Sequence, residues 1–212
     1  LLSVIAAFLL VVIVYVLYVF GTYHRIKDKQ PIEINSLNAT EGSKVKTGVE
    51  YTAGTYNVGF GAYTPDYSFF MDGGKYSRCF SRQSGIDAIN GAADYAKSEN
   101  PDFMIFEEVD RDSTRSYHVN QENLINKKFQ GYFQNFAVNY DSAYLFYPFN
   151  EPIGKSYSGI SVYSKYEITS ALRRSFPIST SFSKLLDLDR CYSVSRVPVE
   201  NGKELIVYGV HM

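Results

Sequence analysis

The chain has no tryptophan, two cysteines and three histidines among its 212 residues, and no excess of charge of either sign. Its 21 Lys and Arg balance 22 Asp and Glu to a formal net charge of −1. That balance excludes the broad basic face that drives non-specific nucleic-acid binding, while leaving local contacts open. Cys79 and Cys191 lie far apart and show no Cys-x-x-Cys or Cys/His spacing, which excludes a zinc finger or ribbon. They read as buried thiols or, in an exported domain, as one disulfide. Internal repeats and low-complexity tracts are also lacking, so a repeat architecture is excluded. What is abundant is aromatic: 19 Tyr and 15 Phe. Tyrosine at this level suits a sheet-rich fold with polar rims. The length allows one domain with a sizeable core and a short appendage.

The appendage is residues 1–20, where Ser3 is the clearly polar residue and Tyr15 and Tyr18 stand near the far end. About 20 apolar residues cross a bilayer as a helix, and the tyrosines match an interfacial aromatic belt. A signal peptide has a shorter apolar region and a small-residue cleavage site. No such site follows Phe20, so an uncleaved transmembrane anchor over residues 1–22 is expected. His24, Arg25, Lys27 and Lys29 follow it and by themselves favour a cytoplasmic C-terminal side.

Residues 23–49 are polar and mixed, with Pro31, Gly42 and Gly48, and are expected to form a juxtamembrane linker before a domain spanning 50–212. Residues 50–58 alternate as a strand that turns at Gly59-Phe60-Gly61. Residues 63–81 should form a long surface loop. Ile86, Ile89, Ala93 and Ala96 have helical spacing behind Ser84, a candidate cap, and Asn100-Pro101 closes that helix. The apolar run 102–109 follows as a strand, so strand, helix and strand form a crossover unit and imply an α/β layer. A second helix is expected over 121–129. Further strands are expected over 131–138, 144–147, 159–164, 168–174, 191–199 and 204–210, the last two joined at Asn201-Gly202, a hairpin signal.

Three strand-like segments each deliver one polar residue near their C-terminal end: Asn57, Glu108 and His211. Taken singly, each has a plain alternative. Asn57 suits a turn before Gly59, Glu108 sits among Glu107, Asp110 and Asp112, and His211 suits an ordinary strand end. Crowded carboxylates repel one another unless a cation intervenes, and Mg²⁺ accepts one or two carboxylates completed by waters and substrate phosphate. An imidazole that titrates near neutrality suits proton transfer to a leaving oxygen. Among the arginines, Arg173, Arg174, Arg190 and Arg196 are candidates for phosphate binding, with solvated strand-edge positions as the plainer expectation. His118 is expected on a surface turn, and His24 belongs to the membrane flank.

In order, the segments Thr55-Tyr56-Asn57-Val58, Asp102 to Asp110, Tyr157 to Ser164 and Ile206 to His211 resemble the successive core motifs of the endonuclease/exonuclease/phosphatase superfamily. The resemblance covers about residues 50–212. The usual Gln-Glu pair appears as Glu107-Glu108. The resemblance implies a four-layer α-β-β-α sandwich of two mixed sheets, truncated here. It implies a Mg²⁺ site, with Mn²⁺ as the alternative ion, at Asn57 and Glu108, and places His211 as the first of two active-site histidines. The implied substrate is a phosphoester: a nucleic acid, a phospholipid headgroup or a small phosphate ester. No protein partner is implied. The Gly-Asp-x-Asn strand and Ser-Asp-His motif of the family are not found within the 212 residues, so this polypeptide is expected to be inactive while its longer parent hydrolyses phosphoesters. By the same resemblance the domain is expected on the outer face of a bacterial membrane. The competing expectation is a non-catalytic, membrane-tethered binding domain on the same sandwich.

Overall fold

The computed structural model describes residues 1–22, 25–177 and 189–211. His24 lies outside them. The apolar N-terminal run forms a single helix, α1 (Leu2–Thr22), with none of its residues buried. Its most apolar 18-residue stretch has a mean hydropathy of 2.9. By length and composition it can serve as a membrane anchor or a signal sequence.

The remaining described chain folds as two sheets face to face. One is five-stranded, in the order β2 (Ile34–Leu37), β5 (Tyr132–Asp141), β6 (Tyr157–Ser164), β4 (Phe103–Asp110) and β3 (Ala53–Asn57). The other has four strands, in the order β1 (Gln30–Pro31), β7 (Ser170–Ser175), β8 (Cys191–Pro198) and β9 (Glu204–Val210). The five-stranded sheet is mixed, because β3 and β4 run parallel. They are joined by the crossover helix α2 (Arg82–Ser98), as the strand-helix-strand spacing predicts. The second sheet is wholly antiparallel rather than mixed.

Helices α2 and α3 (Gln121–Lys128) cover the outer face of the five-stranded sheet. Ile89, Ala93 and Ala96 meet Met104, Phe106 and Phe129 there in one apolar cluster. No helix covers the other sheet's outer face among the described residues, so three of the four expected layers are seen. Phe103, Phe133, Ala171 and Val197 fill one end of the space between the sheets. Polar groups cross that space too: Asn135 Nδ2 donates to Ser195 Oγ at 2.9 Å.

Four local expectations are corrected. The stretch 23–49 supplies an edge strand to each sheet, β1 against β7 and β2 against β5, because Ile32 and Ile34 are apolar enough to join the inter-sheet core. The N-cap of α2 is Ser81, whose hydroxyl accepts from Ser84 N–H in a reciprocal capping box; Ser84 lies one turn inside. Residues 144–147 make a single bridge, Leu145 to Gly154, instead of a strand. Pro148, which has no N–H to offer a ladder, follows immediately. Arg173 is buried rather than solvated: its guanidinium donates to Val138 and Asp189 carbonyls at 2.7 and 2.8 Å and ties the sheets together.

Cys79 and Cys191 are both free and buried. Burial pushes the Cys79 thiol up to about 12 and that of Cys191 to about 11, so both are inert thiols at neutral pH.

Candidate active site

Asn57, Glu108 and His211 meet where one edge of each sheet ends. Asn57 is the last residue of edge strand β3, and His211 follows edge strand β9 of the opposite sheet. Glu108 comes from β4 through a bulge. Phe106 pairs with Ser161 and Val109 with Gly159, so Glu107 and Glu108 together oppose a single residue of β6. Met104, Phe106 and Val109 all pack into the helix-covered core. Without the extra residue, alternation would have sent Glu108 into that core and Val109 away from it. Glu108 accordingly adopts φ +55°, a left-handed conformation uncommon for a non-glycine residue.

The three side chains form one hydrogen-bonded group. Asn57 Oδ1 accepts the Gly59 N–H at 2.9 Å, which fixes the amide's orientation and turns Nδ2 towards the acid. Nδ2 donates to Glu108 Oε1 at 3.0 Å and lies 3.4 Å from His211 Nε2. His211 Nε2 is 3.5 Å from Glu108 Oε1, and its Nδ1 is 3.5 Å from Asn139 Nδ2. One tautomer suits this surrounding: Nε2–H faces the carboxylate and Nδ1 accepts from Asn139. Burial pulls the imidazole below its ordinary pKa; Glu108 opposes that shift, and Arg190 and Arg115 add to it.

A cavity of about 320 Å³ opens over Glu108 and His211. Arg190 lines it, and its Nη1 is buried without a hydrogen-bond partner among the described residues. Tyr63, Met71 and Asp72 form its rim, with the Tyr63 hydroxyl 3.1 Å from Asp72 Oδ2. Burial, with Asp72 and Glu108 adding to it, raises the Tyr63 pKa and keeps that hydroxyl protonated.

Beneath the cavity, Asp110 is completely buried and held by Arg115 and by Ser116 Oγ at 2.8 Å. Burial works against the charge of Arg115, but Asp110 more than offsets it and raises the guanidinium's pKa. Glu107 is buried beside the site and hydrogen-bonded by Thr55 Oγ1; burial raises its pKa, opposed by that hydroxyl.

A family sequence model, Endonuclease/Exonuclease/phosphatase family, matches residues 54–207. The chain belongs to the endonuclease/exonuclease/phosphatase family. The match spans Asn57 and Glu108 and stops short of His211. No curated protein matches the chain by sequence. Among solved structures, similarity is found to an endonuclease/exonuclease/phosphatase from Beutenbergia cavernae DSM 12333, with TM-score 0.49 and 16% identity over 76% of this chain and 38% of the other. A family protein from Leptotrichia buccalis C-1013-b gives TM-score 0.44 and 16% identity over 74% and 52%. ANGEL2, a 2′,3′-cyclic phosphatase, gives 0.40 and 11% over 90% and 45%. The chain thus spans between 38% and 52% of the length of these structures.

Sequence reading anticipated Asn57, Glu108 and His211 and included Arg190 among four arginines. Of the others, Arg174 pairs with Asp28 at 3.0 Å and Arg196 with Glu204 at 2.5 Å, both partly solvated. His118 is exposed and paired with Asp112. Asn139 and the supporting Asp110–Arg115 pair were missed as parts of the site, and the one available signal was their polarity within or beside apolar runs.

Proposed function

We propose that this chain carries the metal-binding half of a Mg²⁺-dependent phosphoesterase site, with Mn²⁺ as the alternative ion. The observation behind this reading is the convergence of Asn57, Glu108 and His211 from two sheets, with Glu108 and His211 lining one cavity. The donors suit a hard cation: the Glu108 carboxylate and, once the Asn57 amide turns its oxygen from the Gly59 N–H towards the acid, one amide oxygen, with cavity space for waters and a phosphate. Glu108 and Asn57 would hold the ion. When bound, it supplies Lewis-acid polarisation of a phosphate oxygen and stabilises charge on the leaving oxygen.

The other roles belong to side chains. Arg190 offers its unpaired Nη1 to phosphate oxygens, for which a guanidinium is suited. Burial depresses the pKa of His211 and favours its neutral form, which presents one N–H that can hydrogen-bond a phosphate oxygen. Asn139 orients that ring through Nδ1. Phosphoryl transfer depends mainly on positioning and charge stabilisation. The family's Gly-Asp-x-Asn and Ser-Asp-His residues, which align water and hold the second histidine, are not among these 212 residues. On this reading the 212-residue chain by itself binds metal and phosphate, and turnover needs a protein that also carries those residues. Helix α1 tethers both to a membrane, with the domain on its outer face.

The test assays the parent with a generic phosphodiester in Mg²⁺ and in EDTA, beside its Glu108→Ala variant. Metal-dependent hydrolysis that disappears with the carboxylate is expected. Absence of such hydrolysis, with Glu108→Ala indistinguishable, overturns the reading.

A further inference from the structure

Helix α1 does not stand apart from the domain. The Tyr144 N–H donates to the Tyr18 hydroxyl at 3.1 Å, and the Tyr15 hydroxyl donates back to the Tyr144 carbonyl at 3.4 Å. The Phe146 ring meets Tyr15 edge-on with centroids 5.2 Å apart. Tyr15 is one to two turns of helix before Thr22, roughly 10 Å at 1.5 Å per residue. A loop bonded there lies at the depth of the helix's last turns, where tyrosines occupy the interfacial belt of a bilayer.

From that loop an aromatic ridge runs to the cavity. Phe146, Tyr147 and Phe149 are 50%, 62% and 85% exposed, which is costly for rings facing water. Tyr147 touches Phe149 and, at 5.7 Å, Phe70. Next to Phe70 stands Met71, 68% exposed and part of the rim that surrounds Glu108 and His211. Between the loop and α1 from Leu10 to Tyr18 there is also an apolar groove of about 560 Å³.

We infer that this ridge is a membrane-docking surface: it seats on a phospholipid bilayer beside α1 and turns the cavity mouth towards the lipid headgroups. The ridge continues from the helix to which its loop is bonded, and that helix is itself long and apolar enough to lie in the bilayer. The inference rests on the proposed tether and makes a headgroup phosphoester the substrate class within reach. Aromatic rings are well matched to such an interface, having an apolar body and, in tyrosine, a polar tip.

The chain's lack of tryptophan makes a direct test available. Four variants of the 212-residue chain, each with one tryptophan, are reconstituted in phosphatidylcholine vesicles with and without brominated acyl chains: F8W in α1, F149W on the ridge, M71W on the rim and Y95W on exposed α2. Circular dichroism checks folding, and Y147W replaces any ridge variant that misfolds. Bromine should remove most emission from F8W, F149W and M71W, with a blue shift for the ridge, and leave Y95W unchanged. If F8W is quenched while F149W is as bright as Y95W, the docking surface is overturned and the tether stands. If F149W is quenched and M71W is not, the orientation of the cavity mouth is overturned. If F8W is not quenched either, tether and docking fall together. None of these readouts requires turnover, so failure of the phosphoesterase reading registers separately.

Discussion

Asn57 and Glu108 lie 51 residues apart, yet the Asn57 amide donates to Glu108 Oε1 at 3.0 Å. β3 and β4 are parallel neighbours with Asn57 in register with Glu107, and the bulge in β4 turns the next carboxylate towards the amide. Glu108→Gln keeps the shape of this pair and removes its charge. We expect Mg²⁺ affinity to fall by about 10- to 100-fold or more, judged against the loss known for supporting residues around metal ligands. Isothermal titration of the 212-residue chain with MgCl₂ measures it, and unchanged affinity would remove Glu108 from the metal site.

Arg190 should be felt in anion binding rather than in metal binding. Loss of a charge-assisted hydrogen bond costs about 1.5–3 kcal/mol, so Arg190→Ala should weaken inorganic phosphate binding by about tenfold or more. Arg190→Lys should recover only part, because an ammonium lacks the planar fork. Phosphate titrations at fixed Mg²⁺ make the comparison; equal affinities for all three proteins would exclude the guanidinium from the site.

The Asp110–Arg115 pair supports the floor of the cavity from within the protein. Asp110 has no exposed surface, and Arg115 approaches it at 2.9 Å. Removing one partner of a buried pair leaves an uncompensated charge, which costs about 3–5 kcal/mol. Urea unfolding of Asp110→Ala should show that loss, whereas a change below about 1 kcal/mol would mean water reaches Arg115.

Gly159 has no room for a side chain. A Cβ there would lie 2.3 Å from the Ala137 carbonyl oxygen and 2.6 Å from the Phe136 ring. Backbone cannot yield as a side chain does, so Gly159→Ala should destabilise by about 1–3 kcal/mol and disturb the bulge opposite. The thermal midpoint reports the first effect. Mg²⁺ titration reports the second, and normal values in both would show that the strand moves freely.

Asp102 supplies a pH dependence. Burial raises its pKa, but the Thr52 N–H and hydroxyl and the Lys165 ammonium outweigh this and leave it below the ordinary carboxylate value. A depressed folded pKa means stabilisation that is fully present above the unfolded value of about 3.9 and is lost as pH falls through the folded one. Urea midpoints from pH 7 down to pH 3 should therefore converge for wild type and Asp102→Asn at the acid end. Parallel curves would assign the acid loss to other groups.

Much of the candidate site was legible because strand ends carry a local signal. Apolar runs with a polar residue near the end identified Asn57, Glu108 and His211, and the spacing of Ile89, Ala93 and Ala96 identified the crossover helix. Arg173 was not legible. A charged residue in a short alternating strand has the pattern of a solvated edge, and only the second sheet, arriving across β5, shows that its guanidinium is buried. Residues 30–37 were misread for a related reason: short edge strands are made by partners far along the chain and have almost no period of their own.

The sequence by itself determined the α/β class, the crossover unit, the apolar N-terminal helix and the family, because periodicity, turn residues and ordered motifs are properties of neighbouring residues. Tertiary structure decided which side of β4 receives Glu108, how Arg190 and Asn139 join the site, that the two thiols stay apart, and that α1 is bonded to the aromatic ridge. Each of these depends on groups brought together across two sheets, where register, burial and charge are set by residues tens to more than a hundred positions away.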